Sequence, residues 1–265
     1  MYNMVVNKRV LVIGAFDPTG AGGVGVDIRM FHNFRYYVAA CVTGIFAQNT
    51  RQVTDFMPVP FASVGQQLEA LLSDLTFNGL KLSLLPEEIT VDMVAELLGS
   101  RPIQPSLLDL SLIHPLGHRL QTPAVLNALV THIMPKVDIV VCNVEEAGMI
   151  LGKPVEDLQA MRDAASELIQ RGCSQVVITS RGKDNRAMDV VHDGMSIKLA
   201  DAPLMVTENT LGKGAVFSSC VLGNLIKGDD LLTSVNKAKL YIRKAMMHNF
   251  KIGGGAHPLN LNTPL

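Results

Sequence analysis

The sequence predicts an α/β fold with a mostly parallel central sheet, helices on both faces and an appended hairpin. Three observations carry this expectation. Short runs such as Val10-Leu11-Val12-Ile13, Val137-Asp138-Ile139-Val140-Val141 and Val176-Val177-Ile178 are rich in β-branched residues, as strands buried on both faces are. Between them lie apolar stripes at helical spacing: Phe61, Val64, Leu68, Leu71, Leu72 and Leu75, then Leu158, Met161, Ala165, Leu168 and Ile169. Finally, Arg186 to Lys198 places an Asp193-Gly194 turn between two alternating segments, the pattern of a hairpin. Alternation of strand and helix without a low-complexity linker implies one domain over residues 1–265.

Composition narrows the partners. With 48% hydrophobic residues in 265, the chain has ample material for a core. Its net charge of -1, spread without a basic stripe, excludes a nucleic-acid footprint and points to a small-molecule partner. Cys41, Cys142, Cys173 and Cys220 stand far apart, mostly within apolar runs and without metal-ligand spacing, so reduced core cysteines are expected. Met1 to Arg9 is too polar for a signal peptide and no apolar run reaches membrane-spanning length, so the expected location is the cytoplasm.

In a sheet of this kind, ligands gather at the carboxyl ends of the strands. After the first strand comes a glycine-rich loop, Ala15 to Asp27, in which Gly20, Gly22 and Gly25 satisfy G-x-G-x-x-G. A dinucleotide site would need an acidic residue ending the second strand, but Ala39 to Phe46 ends in Ala47-Gln48-Asn49-Thr50. Asp27 is expected on the first turn of the following helix, either as a cap or as an acceptor for a substrate hydroxyl. Gln48 offers an amide donor and acceptor suited to a heterocycle edge. Further on, Asn143-Val144-Glu145-Glu146 opens a short helix, and reads either as a capping box or as a carboxylate holding Mg²⁺ through water. Last comes Gly212-Lys213-Gly214-Ala215 before the apolar run Val216 to Ile226, a turn that can aim backbone N–H groups at an anion.

Taken in order, Asp17-Pro18-Thr19-Gly20, Ala47-Gln48-Asn49-Thr50-Arg51, Asn143 to Glu146, Asn209-Thr210-Leu211-Gly212-Lys213-Gly214 and the tail Gly253 to Asn260 resemble the hydroxymethylpyrimidine/phosphomethylpyrimidine kinases of thiamine biosynthesis, members of the ribokinase-like superfamily. The resemblance covers almost the whole chain. It implies ATP with Mg²⁺ along the carboxyl edge, an aminopyrimidine substrate and a homodimer. It further implies Asp27 and Gln48 on the pyrimidine and its hydroxymethyl arm, Ala15 and Phe46 as pocket wall, and Asp109, Asn143, Glu146 and Thr210 on the nucleotide and metal side. The N–H groups of Gly212 to Ala215 form the expected anion hole for the transferring phosphoryl group.

The departures matter as much. Members read N-T-H-G-T-G-C, the last residue standing where the wider superfamily has an Asp base, and here it is Ala215. Loss of a general base costs ~10² to 10⁴ in rate. The family's K-G-G-H is Ser180-Arg181-Gly182-Lys183, its A-K-S-G is His114-Pro115-Leu116-Gly117, and Lys213 replaces its Thr. The resemblance leaves open which group takes the substrate's proton: Asp109, Lys213 or a neighbouring protein. It therefore implies a kinase, slow for want of a base; the alternatives are a catalytically inactive pyrimidine- or phosphate-binding relative and a vitamin B6-type kinase.

Overall fold

The computed structural model describes residues 8–114, 120–180, 182, 184–247 and 251–265. β1 (Arg9–Phe16) leads through the glycine loop into α1 (Gly23–Asn33), and β2 (Tyr37–Gln48) turns back as β3 (Val53–Pro58) before α2 (Phe61–Asp74). β4 (Leu80–Leu82), α3 (Glu88–Ser100), β5 (Ser106–Asp109) and α4 (Pro123–Ala128) follow, and two short helical turns join α4 to β6 (Ile139–Asn143). After α5 (Val144–Leu151), α6 (Leu158–Gln170) and β7 (Gln175–Thr179) comes the hairpin of β8 (Arg186–His192) and β9 (Ile197–Pro203). The chain ends with β10 (Asn209–Leu211), α7 (Lys213–Lys227), α8 (Leu231–Met247) and β11 (His257–Pro258).

Nine strands form one sheet in the order β3-β2-β1-β4-β5-β6-β7-β8-β9. The six from β2 to β7 run parallel, while β3, β8 and β9 pair antiparallel at the two margins. Successive residues of β1 serve opposite faces, as the two-residue period of a strand requires. Leu11 and Ile13 join a core with α2, α3, α4 and α6, whereas Val10 and Val12 join one with α1, α7 and α8. The expected helices on both faces and the appended hairpin are thus observed.

Between β1 and β4 the winding reverses, because α1 leaves β1 on one face and α3 follows β4 on the other. Loops diverging from adjacent strands leave a crevice at their carboxyl ends, which is where such sheets bind ligands. One strand starts later than its sequence pattern indicates: β6 begins at Ile139, since the Asp138 carboxylate accepts the Ser106 backbone N–H at 2.7 Å and its hydroxyl at 2.8 Å. All four cysteines are buried and unbridged, as expected. Among the described residues, no helix is long and apolar enough to cross a membrane.

Candidate active site

A cavity of about 690 Å³ runs along the carboxyl ends of the parallel strands and beneath the start of α7. One part of its lining is apolar. Ala15, Phe46 and Leu84 pack together there, with the Phe46 ring centroid 4.6 Å from that of Phe56 and 5.5 Å from that of His114. Gln48, closing β2, also lines the cavity, and its Oε1 is buried without a hydrogen-bond partner among the described residues. A buried amide acceptor left unpaired is costly, and a ligand that donates to it relieves the cost.

Next along the cavity lies a buried ionic network. Lys81, wholly buried on β4, donates to Asp27 Oδ1 at 2.5 Å, the Ser219 hydroxyl at 3.0 Å and the Ala215 carbonyl at 3.1 Å. Its ammonium also stands 3.5 Å from Asp109 Oδ2, which accepts the Ser218 hydroxyl at 2.7 Å. Two carboxylates thus share one ammonium, and burial raises the Asp27 pKa against the pull of Lys81. Asp27 is the fifth residue of α1, on its second turn, and α1 has no acidic residue in its first. That corrects the expected first-turn position and rules out a cap: Asp27 points inward to Lys81 and Ser219.

The glycine turn has the conformation its letters imply. Gly212 takes φ +79°, and a Cβ there would lie 1.6 Å from the Ala21 carbonyl oxygen, so only glycine fits. Gly212 is the N-cap of α7 and no side chain caps the helix. The N–H groups of Lys213, Gly214 and Ala215 therefore open the helix without intrahelical acceptors, at its positive end. Space before the turn is open: a Cβ on Gly214 would meet nothing within 4 Å. Lys213 and half-buried Ala215 line the same cavity.

Asn143 and Glu146 form the capping box at the start of α5. Asn143 Oδ1 accepts the N–H groups of Glu145 and Glu146, each at 2.9 Å, while Glu146 Oε2 accepts that of Asn143 at 2.9 Å. Glu146 Oε1 takes the Leu112 N–H at 3.2 Å, and burial pushes its carboxyl up to about 8. Both residues face the cavity, as does Asp109. Thr210 does not. It is the exposed middle residue of β10, whose neighbours Asn209 and Leu211 point inward, so the expected place on the nucleotide side is corrected. Arg181 and Lys183 lie outside the described residues.

The family model of phosphomethylpyrimidine kinase matches residues 17–260. The chain belongs to the phosphomethylpyrimidine kinase family. It is 30% identical to the hydroxymethylpyrimidine/phosphomethylpyrimidine kinase of Aquifex aeolicus over 246 residues, 92% of this chain and 96% of the relative. The Haemophilus influenzae protein of the same description is 30% identical over 260 residues, 96% of each chain. In fold, the ADP complex of Bacillus subtilis pyridoxal kinase superposes with a TM-score of 0.88 at 22% identity, covering 97% of this chain and 98% of that one. The phosphomethylpyrimidine kinase of Clostridium difficile 630 gives 0.79 at 23% identity, over 90% and 99%. These bear out the ribokinase-like fold.

Two buried lysines join the site without a role expected from the sequence, although Lys81 stands at the lysine of the family's K-I-G-M-L. One is Lys81; the other is Lys239 of α8, whose ammonium pairs with Asp189 and donates to the Ala187 carbonyl at 2.9 Å. Asp189 in turn accepts the Ser180 backbone N–H at 2.9 Å, and the Ser180 hydroxyl is buried without a partner among the described residues. The signal for both lysines was a single charge inside an apolar pattern: Lys81 between Leu80 and Leu82, and Lys239 on the stripe of Val235, Ile242 and Met246.

Proposed function

We propose that this chain transfers the γ-phosphoryl group of ATP to hydroxymethylpyrimidine or to its monophosphate. One observation carries the reading. A single cavity joins an apolar pocket with an unpaired Gln48 acceptor to an uncapped glycine turn at the positive end of a buried helix. Gln48 reads the edge of the heterocycle between Ala15 and Phe46, and Asp27 faces its hydroxymethyl arm. The N–H groups of Lys213, Gly214 and Ala215 stabilise the negative charge of the transferring phosphoryl group, and the Lys213 ammonium offsets it further. Phosphoryl transfer depends chiefly on alignment and charge, so Ala215 slows the reaction without abolishing it.

Asp109, Asn143 and Glu146 belong to the nucleotide side. The Glu146 carboxylate oxygens each already accept a backbone N–H, which fits Mg²⁺ held through water and by phosphate oxygens better than direct ligation. An ion held there would supply positive charge to offset that of the phosphate groups. The protein works as a homodimer. The inactive-relative alternative finds no support in the matches, whose descriptions are those of kinases.

A substrate panel tests the proposal. Purified protein with MgATP is offered hydroxymethylpyrimidine, its monophosphate and pyridoxal, and products are read by mass spectrometry. Phosphorylated pyrimidine as the main product is expected. Product from pyridoxal alone, or from none of the three, refutes it.

A further inference from the structure

Resting on the kinase reading, we infer that Asp27 is the base that receives the substrate hydroxyl's proton in place of a side chain at position 215, and that Lys81 is the positioning residue that holds it ready. Both hydrogen bonds to Asp27, from Lys81 Nζ at 2.5 Å and the Ser219 hydroxyl at 2.6 Å, fall on Oδ1. Among the described residues none reaches Oδ2, which is left for the cavity that Asp27 lines. The same ammonium holds the Ala215 carbonyl at 3.1 Å, in the first turn of α7. One buried side chain therefore fixes both the acceptor carboxylate and the helix start whose N–H groups face the phosphoryl group.

In the transfer step the hydroxyl oxygen bonds to the γ-phosphorus of the nucleotide as its proton passes to Asp27 Oδ2. The bond from the γ-phosphorus to the bridging oxygen breaks, and the nucleoside diphosphate leaves with that electron pair. Asp27 returns the proton to water after product departs. The groups facing Asp27 are Lys81 from β4, Asp109 from β5 and the Ser219 hydroxyl from α7. Burial weakens the acid, and a carboxylate of raised pKa is the better base near neutral pH.

The test measures kcat, KM and the pH profile for wild type, Lys81→Met and Asp27→Asn, each with and without Ala215→Asp. Wild-type turnover is established first; its absence removes the kinase reading and this inference together. Given turnover, Asp27→Asn is expected to lower kcat by ~10² to 10⁴, the usual effect of losing a base. Ala215→Asp should restore at least about tenfold in that background and little in the wild type, the non-additivity expected of two alternative bases. Lys81→Met should lower kcat more than it raises the nucleotide KM, and move the acid limb of the profile to higher pH. If Lys81→Met does not fold, Asp27→Asn decides alone, since it removes one charge from a cluster with an excess carboxylate. Asp27→Asn with kcat near wild type, or without rescue by Ala215→Asp, overturns the inference even where the wild type turns over.

Discussion

Gly214→Ala separates an anion turn from an ordinary helix start. Gly214 is the second residue of α7, and a Cβ placed on it meets no heavy atom within 4 Å. Replacing a helical glycine by alanine in open space stabilises a protein by ~0.5–1 kcal/mol, through helix propensity and the reduced freedom of the unfolded chain. For a chain of this size that corresponds to a melting temperature higher by about 1–4 °C. The same methyl group stands in the open cavity before the turn, where the phosphoryl group must approach. Misplacing reacting groups by about 1 Å costs roughly 10² in rate. The variant should therefore melt higher and work worse, with kcat/KM down by ~30- to 100-fold. Thermal denaturation followed by circular dichroism and steady-state ADP release measure the two effects. Gly212→Ala is the contrast: its Cβ would lie 1.6 Å from the Ala21 carbonyl, at φ +79°, so stability falls by more than ~1–2 kcal/mol. A Gly214→Ala enzyme that is stabilised and retains activity within about threefold would refute the placement of the phosphoryl group, because no 10² penalty would then exist.

Gln48→Leu should leave the melting temperature unchanged or higher, since Oε1 has no partner to lose, while the pyrimidine KM rises ~10- to 100-fold; substrate-saturation curves check this. Asn143→Ala removes the acceptor of two backbone N–H groups at the α5 cap and should lower stability by ~1 kcal/mol in urea titration. Glu146→Gln should be less stable than wild type at pH 5, because the amide nitrogen must face one of two backbone donors. Glu146 has a folded pKa raised to about 8, so the stability of its neutral form is present below the ordinary glutamate range and is lost as pH rises toward 8. The gap between wild type and Glu146→Gln is thus expected to narrow from pH 5 to pH 8, and urea midpoints that stay parallel would contradict the burial argument.

Local pattern was enough for the elements that carry it. β1, β7, α2 and α6 lie where their periodicity puts them, and the N-x-x-E spacing gave the capping box. The glycine turn was legible because a positive φ against the Ala21 carbonyl admits no other residue. What could not be read was tertiary. Lys81 sits in a strand of three residues, too short for a periodic signal, and meets Asp27 and Ser219 across 54 and 138 positions of sequence. Thr210 was misplaced because strand alternation turns its side chain outward, away from the turn its motif announces. Asp27 moved to the second turn because α1 begins at Gly23, where the loop closes with φ +57°.

Phosphoryl transfer here proceeds from an anion turn that carries no base of its own. Single-turnover mass spectrometry with excess wild-type protein, MgATP and hydroxymethylpyrimidine tests it most directly, with Ala215→Cys in parallel. Phosphorylated product from the wild type, formed no more than ~10²-fold slower than from the Cys variant, is predicted. Product from Ala215→Cys and none from the wild type would contradict it.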